Sequence, residues 1–228
     1  MFTKTLLKYA FKKTIPVLIG YFFLGIGFGI LLEKSGHGLL ECLIMSIFIF
    51  SGSMQYAGVS LLSSGASLLT TFITTLIVNA RYFFYSLSLV PKYKDLGIKK
   101  YYLIHAIVDE AYALISENDY LDNYKQEDYW FLISLLDHLY WIISTLIGVF
   151  IGSLINIEIK GIDFVMTALF VTILVDQWLK NKEHLPAIIG LIIPLIFLIV
   201  LGNKYFLLPS MIIITIICAL IKKGEDNE

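Results

Sequence analysis

The chain has 228 residues, of which 58% are hydrophobic and 15% are charged, and its formal net charge is −1 at pH 7. Because soluble domains are about 45–50% apolar and about 25% charged, this composition excludes an ordinary soluble protein. The sequence has no basic patch of the kind that would indicate a nucleic-acid partner. We therefore expect an all-α polytopic protein of the cell (cytoplasmic) membrane, with the lipid bilayer as its surroundings.

Hydropathy predicts about seven or eight membrane segments in a single domain of residues 1–228, since runs of roughly 18 apolar residues cross a bilayer. In chain order the segments are 15–32, 39–62, 66–90, 101–117, 130–156, 162–179, 185–201 and 205–221. The first is longer than a signal-peptide core and is expected to be retained. The weakest, 101–117, contains charged residues, so it is either a polar-lined spanning helix, which we expect, or a surface helix.

The lysine clusters conflict with a simple count of crossings. Lysines group at the N-terminus, at residues 92–100 and at residues 222–223, and the positive-inside rule puts all three groups in the cytoplasm. Three full crossings before residue 92 would leave the middle group outside. Either segment 66–90 breaks near residues 79–81 and returns, or segment 39–62 breaks at residues 51–53.

The spacing of glycines indicates an internal repeat. A shift of 123 residues aligns Gly25 with Gly148, Gly29 with Gly152 and Gly38 with Gly161. The shift predicts two repeat halves, 14–90 and 130–221, joined by 91–129, with broken helices and a substrate site between the halves. Small residues four apart also let helices pack closely, so packing alone could explain the glycines.

The second segment is interrupted by small and polar residues. Broken membrane helices of this kind direct backbone N–H groups at an anionic part of a substrate. The alternative is a packing groove for a neighbouring helix. The predicted substrate ligands here are Ser51, Gly52, Ser53 and Gln55.

The third segment contains the chain's single arginine, Arg81, in a run without other charges from Glu41 to Lys92. An arginine in hydrocarbon costs about 3–17 kcal/mol, so we expect it to be used. It could bind a carboxylate in bidentate fashion. Otherwise it braces a helix break or pairs with a carboxylate such as Glu110. Thr75 and Asn79 lie on a polar stripe just before it and are predicted to contact the substrate as well.

Asp109 and Glu110 in the weak segment are the candidates for ion coupling, because a carboxylate in a low-dielectric site can load and release protons. In the alternative interpretation they are solvated acids on a surface helix. His105 and His138 are more typical of hydrogen-bonded structure than of switches. No metal site or cofactor is expected, and the chain carries no catalytic motif that would make it an enzyme. A secondary transporter is favoured over a passive channel or a membrane scaffold.

Several runs resemble the AzlC family of membrane proteins. They are residues 50–57 (FSGSMQYA), residues 74–85 (TTLIVNARYFFY), residues 109–111 (DEA), Trp141 and residues 161–164 (GIDF). The resemblance extends over about residues 14–175. It departs from the family at Tyr82, where a histidine is usual, and at Val108, where a threonine is common.

This resemblance implies the larger subunit of a branched-chain amino-acid exporter. Its substrates would be valine, leucine, isoleucine and methionine, exported at the expense of an ion gradient. The implied partner is a small hydrophobic AzlD-like subunit. The missing histidine at Tyr82 implies that any coupling role of that imidazole is lost or moved here.

Overall fold

A computed structural model describes residues 3–116, 124–155 and 184–202, with short stretches within 171–179 and 206–217. The described residues form helices and no strand, as an all-α protein requires. The chain divides into two compact units, Met1–Val165 and Met166–Glu228. All the predicted site residues belong to the first unit.

The helices of the first unit differ widely in length. They are α1 (Lys4–Lys34), α2 (Leu39–Ile44), a π-helical turn (Met45–Ile49), α3 (Gly52–Ser63), α4 (Leu68–Tyr93), α5 (Lys99–His105), α6 (Asp109–Ser116) and α7 (Gln126–Leu154). The second unit contains α8 (Leu185–Leu201).

Among the described residues, two helices, α1 and α7, are both long and apolar enough to cross a membrane. Helix α4 has 26 residues, about 39 Å at 1.5 Å per residue, but it carries the polar stripe. Helix α8 coincides with the predicted segment 185–201. With 17 residues it is shorter than α4. Segments 162–179 and 205–221 lie largely outside the described residues, so the number of crossings stays a prediction.

Helices α1 and α7 pack side by side in the same direction, with glycines at their contact. A Cβ atom added to Gly29 would lie 2.6 Å from the amide nitrogen of Val149, and one added to Gly148 would lie 2.8 Å from Cα of Ile26. Further along, Gly152 faces Ile30. Two of the glycine pairs that indicated a repeat therefore lie at one interface. The second half of the repeat is largely undescribed, so the repeat itself remains a prediction.

The predicted second segment is a hairpin that turns back inside the protein. We call residues 39–63 the first hairpin. Its break is at Phe50, whose φ is 38°; Ser51 then begins α3 in an extended conformation. The Gln55 side chain reaches back to Ser46, and Gly58 faces Met45. Helix α3 therefore returns towards the side from which α2 enters.

The break predicted near residues 79–81 is wrong, since α4 runs without interruption through Asn79 and Arg81. The alternative, a break in segment 39–62, is confirmed, with the reversal at Phe50 and Ser51, at the beginning of the predicted run 51–53. A helix through Arg81 keeps every backbone hydrogen bond, whereas the Ser-Gly-Ser run offers less resistance to a reversal.

The predicted fourth segment, 101–117, is neither a spanning helix nor a surface helix. It lies within a second hairpin, residues 99–116, in which α5 and α6 meet at a buried turn of Ala106, Ile107 and Val108. Helix α5 begins beside Asp128. At the other end of the hairpin, Lys92 donates to the carbonyl of Ile115, so α6 returns towards the end at which α5 started.

The first hairpin removes the conflict over charge. It turns back within the bundle, so two helices, α1 and α4, run along the bundle before the lysines at residues 92–100. That loop then lies on the side where α1 begins, which we call the N-terminal side. Two passes bring this lysine loop back to the side of the N-terminal lysines, in agreement with the positive-inside rule. The parallel packing of α1 and α7 agrees with it too, since α7 starts next to Lys99.

Candidate functional site

The turn of the first hairpin is fixed to α4 by side-chain hydrogen bonds. Ser51 Oγ donates to Asn79 Oδ1 at 2.8 Å and lies 3.1 Å from the hydroxyl of Tyr82. The first amides of α3, from Gly52 onward, have no acceptor within their own helix. The break therefore combines N–H donors, a serine hydroxyl and an amide side chain at one point in the protein.

Arg81 joins the two hairpins. Its Nη2 donates to Ser53 Oγ at 2.7 Å and lies 3.1 Å from Oδ2 of Asp109. The guanidinium also lies 5.3 Å from the centre of the Tyr82 ring. Its carboxylate partner is thus Asp109 and not Glu110, the example named above. The Arg81 and Asp109 side chains are 23% and 22% exposed, so the pair is not sealed inside the first unit.

Each of the predicted coupling carboxylates accepts a hydrogen bond from a tyrosine. Asp109 Oδ1 accepts a 2.6 Å hydrogen bond from Tyr85, and Glu110 Oε2 accepts a 2.7 Å bond from Tyr21 of α1. Adjacent in sequence, the two acids face different helices, Asp109 towards α4 and Glu110 towards α1 and α7. They therefore contact different parts of the protein.

Gln55 is completely buried and braces the first hairpin. It accepts a 2.8 Å bond from Trp141 Nε1 and donates to Ser46 Oγ at 3.3 Å. Gly52 lies against the same indole, where a Cβ would be 3.1 Å from the Trp141 ring. Thr75, in contrast, donates to the carbonyl of Thr71 within α4. The structure therefore gathers the break, Asn79, Arg81 and Asp109, while Gln55 and Thr75 make contacts elsewhere.

Both histidines support the broken backbone. His138 lies 3.1 Å from the Ser46 carbonyl and 3.0 Å from the hydroxyl of Tyr102, and its ring stacks on Phe50 at 4.2 Å. His105 Nε2 lies 2.8 Å from the carbonyl of Ile47. Carbonyls of a π-helical turn that ends in a reversal need partners from outside the turn. The structural interpretation of the histidines agrees with these contacts.

A cavity of about 330 Å³ lies between α4 and α5, on the N-terminal side of the Arg81–Asp109 pair. Its lining includes Leu89, Ile104 and Ile107, with Lys94 and Lys100 among the polar residues. Ile107 belongs to the turn of the second hairpin. The cavity offers an apolar volume one helical turn or more from Arg81.

Sequence analysis missed Asp137 of α7, whose side chain is fully buried. The available signal was a single carboxylate inside the apolar segment 130–156. It lies near the beginning of that predicted span, where an acid is typical of the membrane interface, and it therefore did not attract a functional interpretation.

Comparison with known proteins tests the resemblance directly. The sequence model of the family described as "AzlC protein" matches residues 16–155, which contain both hairpins and α7. The chain belongs to the AzlC family. The resemblance found in the sequence is confirmed.

Relatives of this AzlC-family protein cover nearly all of it. It is 37% identical over 218 residues to the "Branched-chain amino acid transport protein AzlC" of Bacillus subtilis, covering 96% of this chain and 86% of that one. An uncharacterized membrane protein of Helicobacter pylori is 37% identical over 216 residues, or 95% of each chain. The inner membrane protein YgaZ of Escherichia coli is 24% identical over 214 residues, 91% of this chain and 85% of YgaZ. No solved structure matches this AzlC-family chain.

Proposed function

We propose that this chain is the large subunit of a secondary transporter that exports branched-chain amino acids across the cell membrane. The observation that carries the proposal is the Arg81–Asp109 pair at the meeting point of two hairpins. It is supported by the name of the Bacillus subtilis relative, a branched-chain amino-acid transport protein. Valine, leucine, isoleucine and methionine are the proposed substrates.

An amino-acid zwitterion complements this pair. Its carboxylate would bind Arg81 and the N–H groups that begin α3 at Gly52, with Ser51, Ser53 and Asn79 as further polar partners. Because zwitterion and ion pair are both electrically neutral, insertion adds no net charge to the site. In the proposed site Gln55 and Thr75 shape the surroundings, Gln55 by bracing the turn and Thr75 by continuing the polar stripe.

The coupling carboxylates would bind either the substrate or a proton. The substrate's ammonium group competes with a proton for Asp109, and Glu110 takes part through its place on the same hairpin. Such competition produces exchange of the two cations, which is the arrangement an exporter driven by an inward proton gradient requires. The apolar cavity beside α4 suits a branched side chain, since its lining is largely aliphatic.

The proposed partner is a small hydrophobic AzlD-like subunit, as the family resemblance implies. The direct test is efflux of labelled valine and leucine from preloaded cells that express this chain alone or with such a subunit. Fast efflux only with both chains supports a two-component exporter. Efflux that continues unchanged after the ion gradient is collapsed would favour a passive channel instead.

Two substitutions test the site itself. Arg81→Ala should abolish efflux while the protein remains in the membrane. Ser53→Ala removes the 2.7 Å bond to Arg81, and loss of a hydrogen bond to a charged group, about 1.5–3 kcal/mol, should weaken substrate binding about 10–150-fold. Ser60→Ala is the matched control, because Ser60 is an exposed serine of the same helix. Normal efflux by a well-expressed Arg81→Ala variant would refute the assignment.

A further inference from the structure

Asp137 carries a fully buried carboxyl group. It lies on α7, its side chain is 0% exposed, and neither Oδ1 nor Oδ2 has a hydrogen-bond partner among the described residues. Asp109, in contrast, receives bonds from both Arg81 and Tyr85. The two aspartates therefore differ in whether a cation and a hydrogen-bond donor contact the carboxyl group.

A charged Asp137 would be expensive. Removing a carboxylate from water costs several kcal/mol even after the protein relaxes, and this cost is offset only by a cation or by good hydrogen bonds. Among the described residues, the charged group that interacts electrostatically with it is the carboxylate of Glu110. Two acids that share a site cannot both ionise cheaply, so at least one proton is retained between them.

The groups around Asp137 offer no positive charge. Those within electrostatic range on the packed helices are Glu110 of α6, Tyr21 of α1, Tyr102 of α5 and Tyr140 of α7. The adjacent His138 directs its two ring nitrogens at Tyr102 and at the carbonyl of Ser46. Tyr21 already donates to Glu110. Among the described residues, the positive charge that acts on the pair is that of Arg81, through Glu110; none acts on Asp137 itself.

A line of further unpaired polar atoms leads from Asp137 towards the N-terminal side. Trp130 Nε1 and Ser134 Oγ are buried and, like the Asp137 oxygens, have no hydrogen-bond partner among the described residues. The three positions follow at spacings of four and three residues, so they share one face of α7. Buried polar atoms of this kind are the groups that internal water serves, and a file of water conducts protons.

We propose that Asp137 and Glu110 form the proton-carrying pair of this transporter, with Asp137 protonated in the conformation described here. The proton exchanges with the N-terminal side along the face of α7 that carries Ser134 and Trp130. The proposal rests on the proposed transport function and assigns the substrate and the proton to different carboxyl groups. Asp109 binds Arg81 or the substrate, and the proton resides one helix away.

The second hairpin links the two sites. Glu110 follows Asp109 directly in α6, so any displacement of α6 that accompanies substrate binding at Asp109 also changes the separation of Glu110 from Asp137. Separating two like carboxyls makes the second easier to ionise, and bringing them together makes it harder. Substrate and proton are thereby coupled without sharing an atom.

The first test measures protonation without transport. In purified protein in nanodiscs, infrared spectroscopy at neutral pH should show the carbonyl stretch of a buried carboxylic acid, and Asp137→Asn should remove it. The control is Asp95→Asn, since Asp95 is exposed and its substitution should leave the band unchanged. A spectrum in which Asp137→Asn removes no such band would overturn the proposal, whatever the protein transports.

The second test uses proteoliposomes that contain the full complex. Asp137→Asn should retain exchange of labelled leucine at equal pH on both sides, which also shows that the variant is folded. It should lose leucine movement driven by a pH gradient, while Asp95→Asn keeps both activities. Retained gradient-driven movement in Asp137→Asn would refute the proton assignment alone, whereas absence of leucine exchange in the wild-type protein would refute the proposed function. Ser134→Ala should slow the gradient-driven movement and spare exchange.

Discussion

The glycine contact between α1 and α7 gives the sharpest prediction of stability. In Gly29→Ala the new Cβ would lie 2.6 Å from the Val149 amide nitrogen and 2.8 Å from the Gly148 carbonyl carbon. Both neighbours are backbone atoms of α7 and cannot rotate away. The helices must separate by about 1 Å, a gap that forfeits roughly a quarter to a half of the dispersion energy of the atoms involved.

The matched variant is Gly20→Ala, on the same helix, where an added Cβ has no neighbour within 4 Å. Alanine gains about 0.8–1.0 kcal/mol of helix propensity at either position, so this gain cancels in the comparison. Overpacking costs about 1–3 kcal/mol. We therefore expect Gly29→Ala to be less stable than Gly20→Ala by about 1–3 kcal/mol, or roughly 5–150-fold in the unfolding equilibrium.

Equilibrium unfolding in mixed micelles, followed by the fluorescence of Trp130 and Trp141 on α7, measures this difference. Helix α7 leaves α1 on unfolding, so both indoles change surroundings. Equal stability of Gly29→Ala and Gly20→Ala would refute the close packing of α1 and α7.

Two further predictions concern the bracing contacts. Gln55→Leu leaves Trp141 Nε1 and Ser46 Oγ without their bonds to Gln55, which should lower the unfolding free energy by about 1–3 kcal/mol for each buried group left unpaired, measured in the same micelles. Hydrogen bonding to Asp128 raises the pKa of Lys99, so its stabilising contribution, about 0.2–1 kcal/mol, is present at neutral pH and is lost as the pH rises through the raised value. Lys99→Gln should therefore be less stable than wild type at pH 7 and equal to it in strong alkali; an unchanged difference in alkali would contradict the pairing.

The residues of the first break could be recognised in the sequence, but the sequence did not distinguish this break from the alternative near residues 79–81. Ser51, Gly52 and Ser53 weaken a helix, while Asn79 and Arg81 looked equally disruptive because they are polar in an apolar run. Arginine is in fact a good helix former, and its charge is satisfied by Ser53 and Asp109 from other elements. That satisfaction depends on contacts that no local pattern encodes.

The second hairpin could not be predicted from hydropathy. Helices α5 and α6 have seven and eight residues, and together with their turn they have the length of one spanning helix. A sum of side-chain hydropathies does not register a reversal at residues 106–108, where every side chain is apolar. The reversal becomes visible only through the bonds at the two ends of the hairpin, from Lys99 to Asp128 and from Lys92 to Ile115.

Asp137 was missed for a related reason. A lone acid near the beginning of a long apolar segment is typical of a membrane interface, where water solvates it. Its burial arises because α1, α5 and α6 converge on α7, and these helices precede it by distant stretches of chain. The candidate residues of the site could be listed from residue types, whereas their division into substrate and proton groups required the packing.

The reliance of both hairpins on α7 sets the order in which the protein can be made. His138 and Trp141 supply bonds to the first hairpin, and Asp128 pairs with the start of the second, yet α7 leaves the ribosome after both. A nascent chain that ends before Gln126 holds two hairpins whose polar groups lack these partners, and in the bilayer each such group costs several kcal/mol. Biogenesis must therefore shelter these polar groups, in the insertion machinery or at the membrane surface, until α7 arrives beside α1.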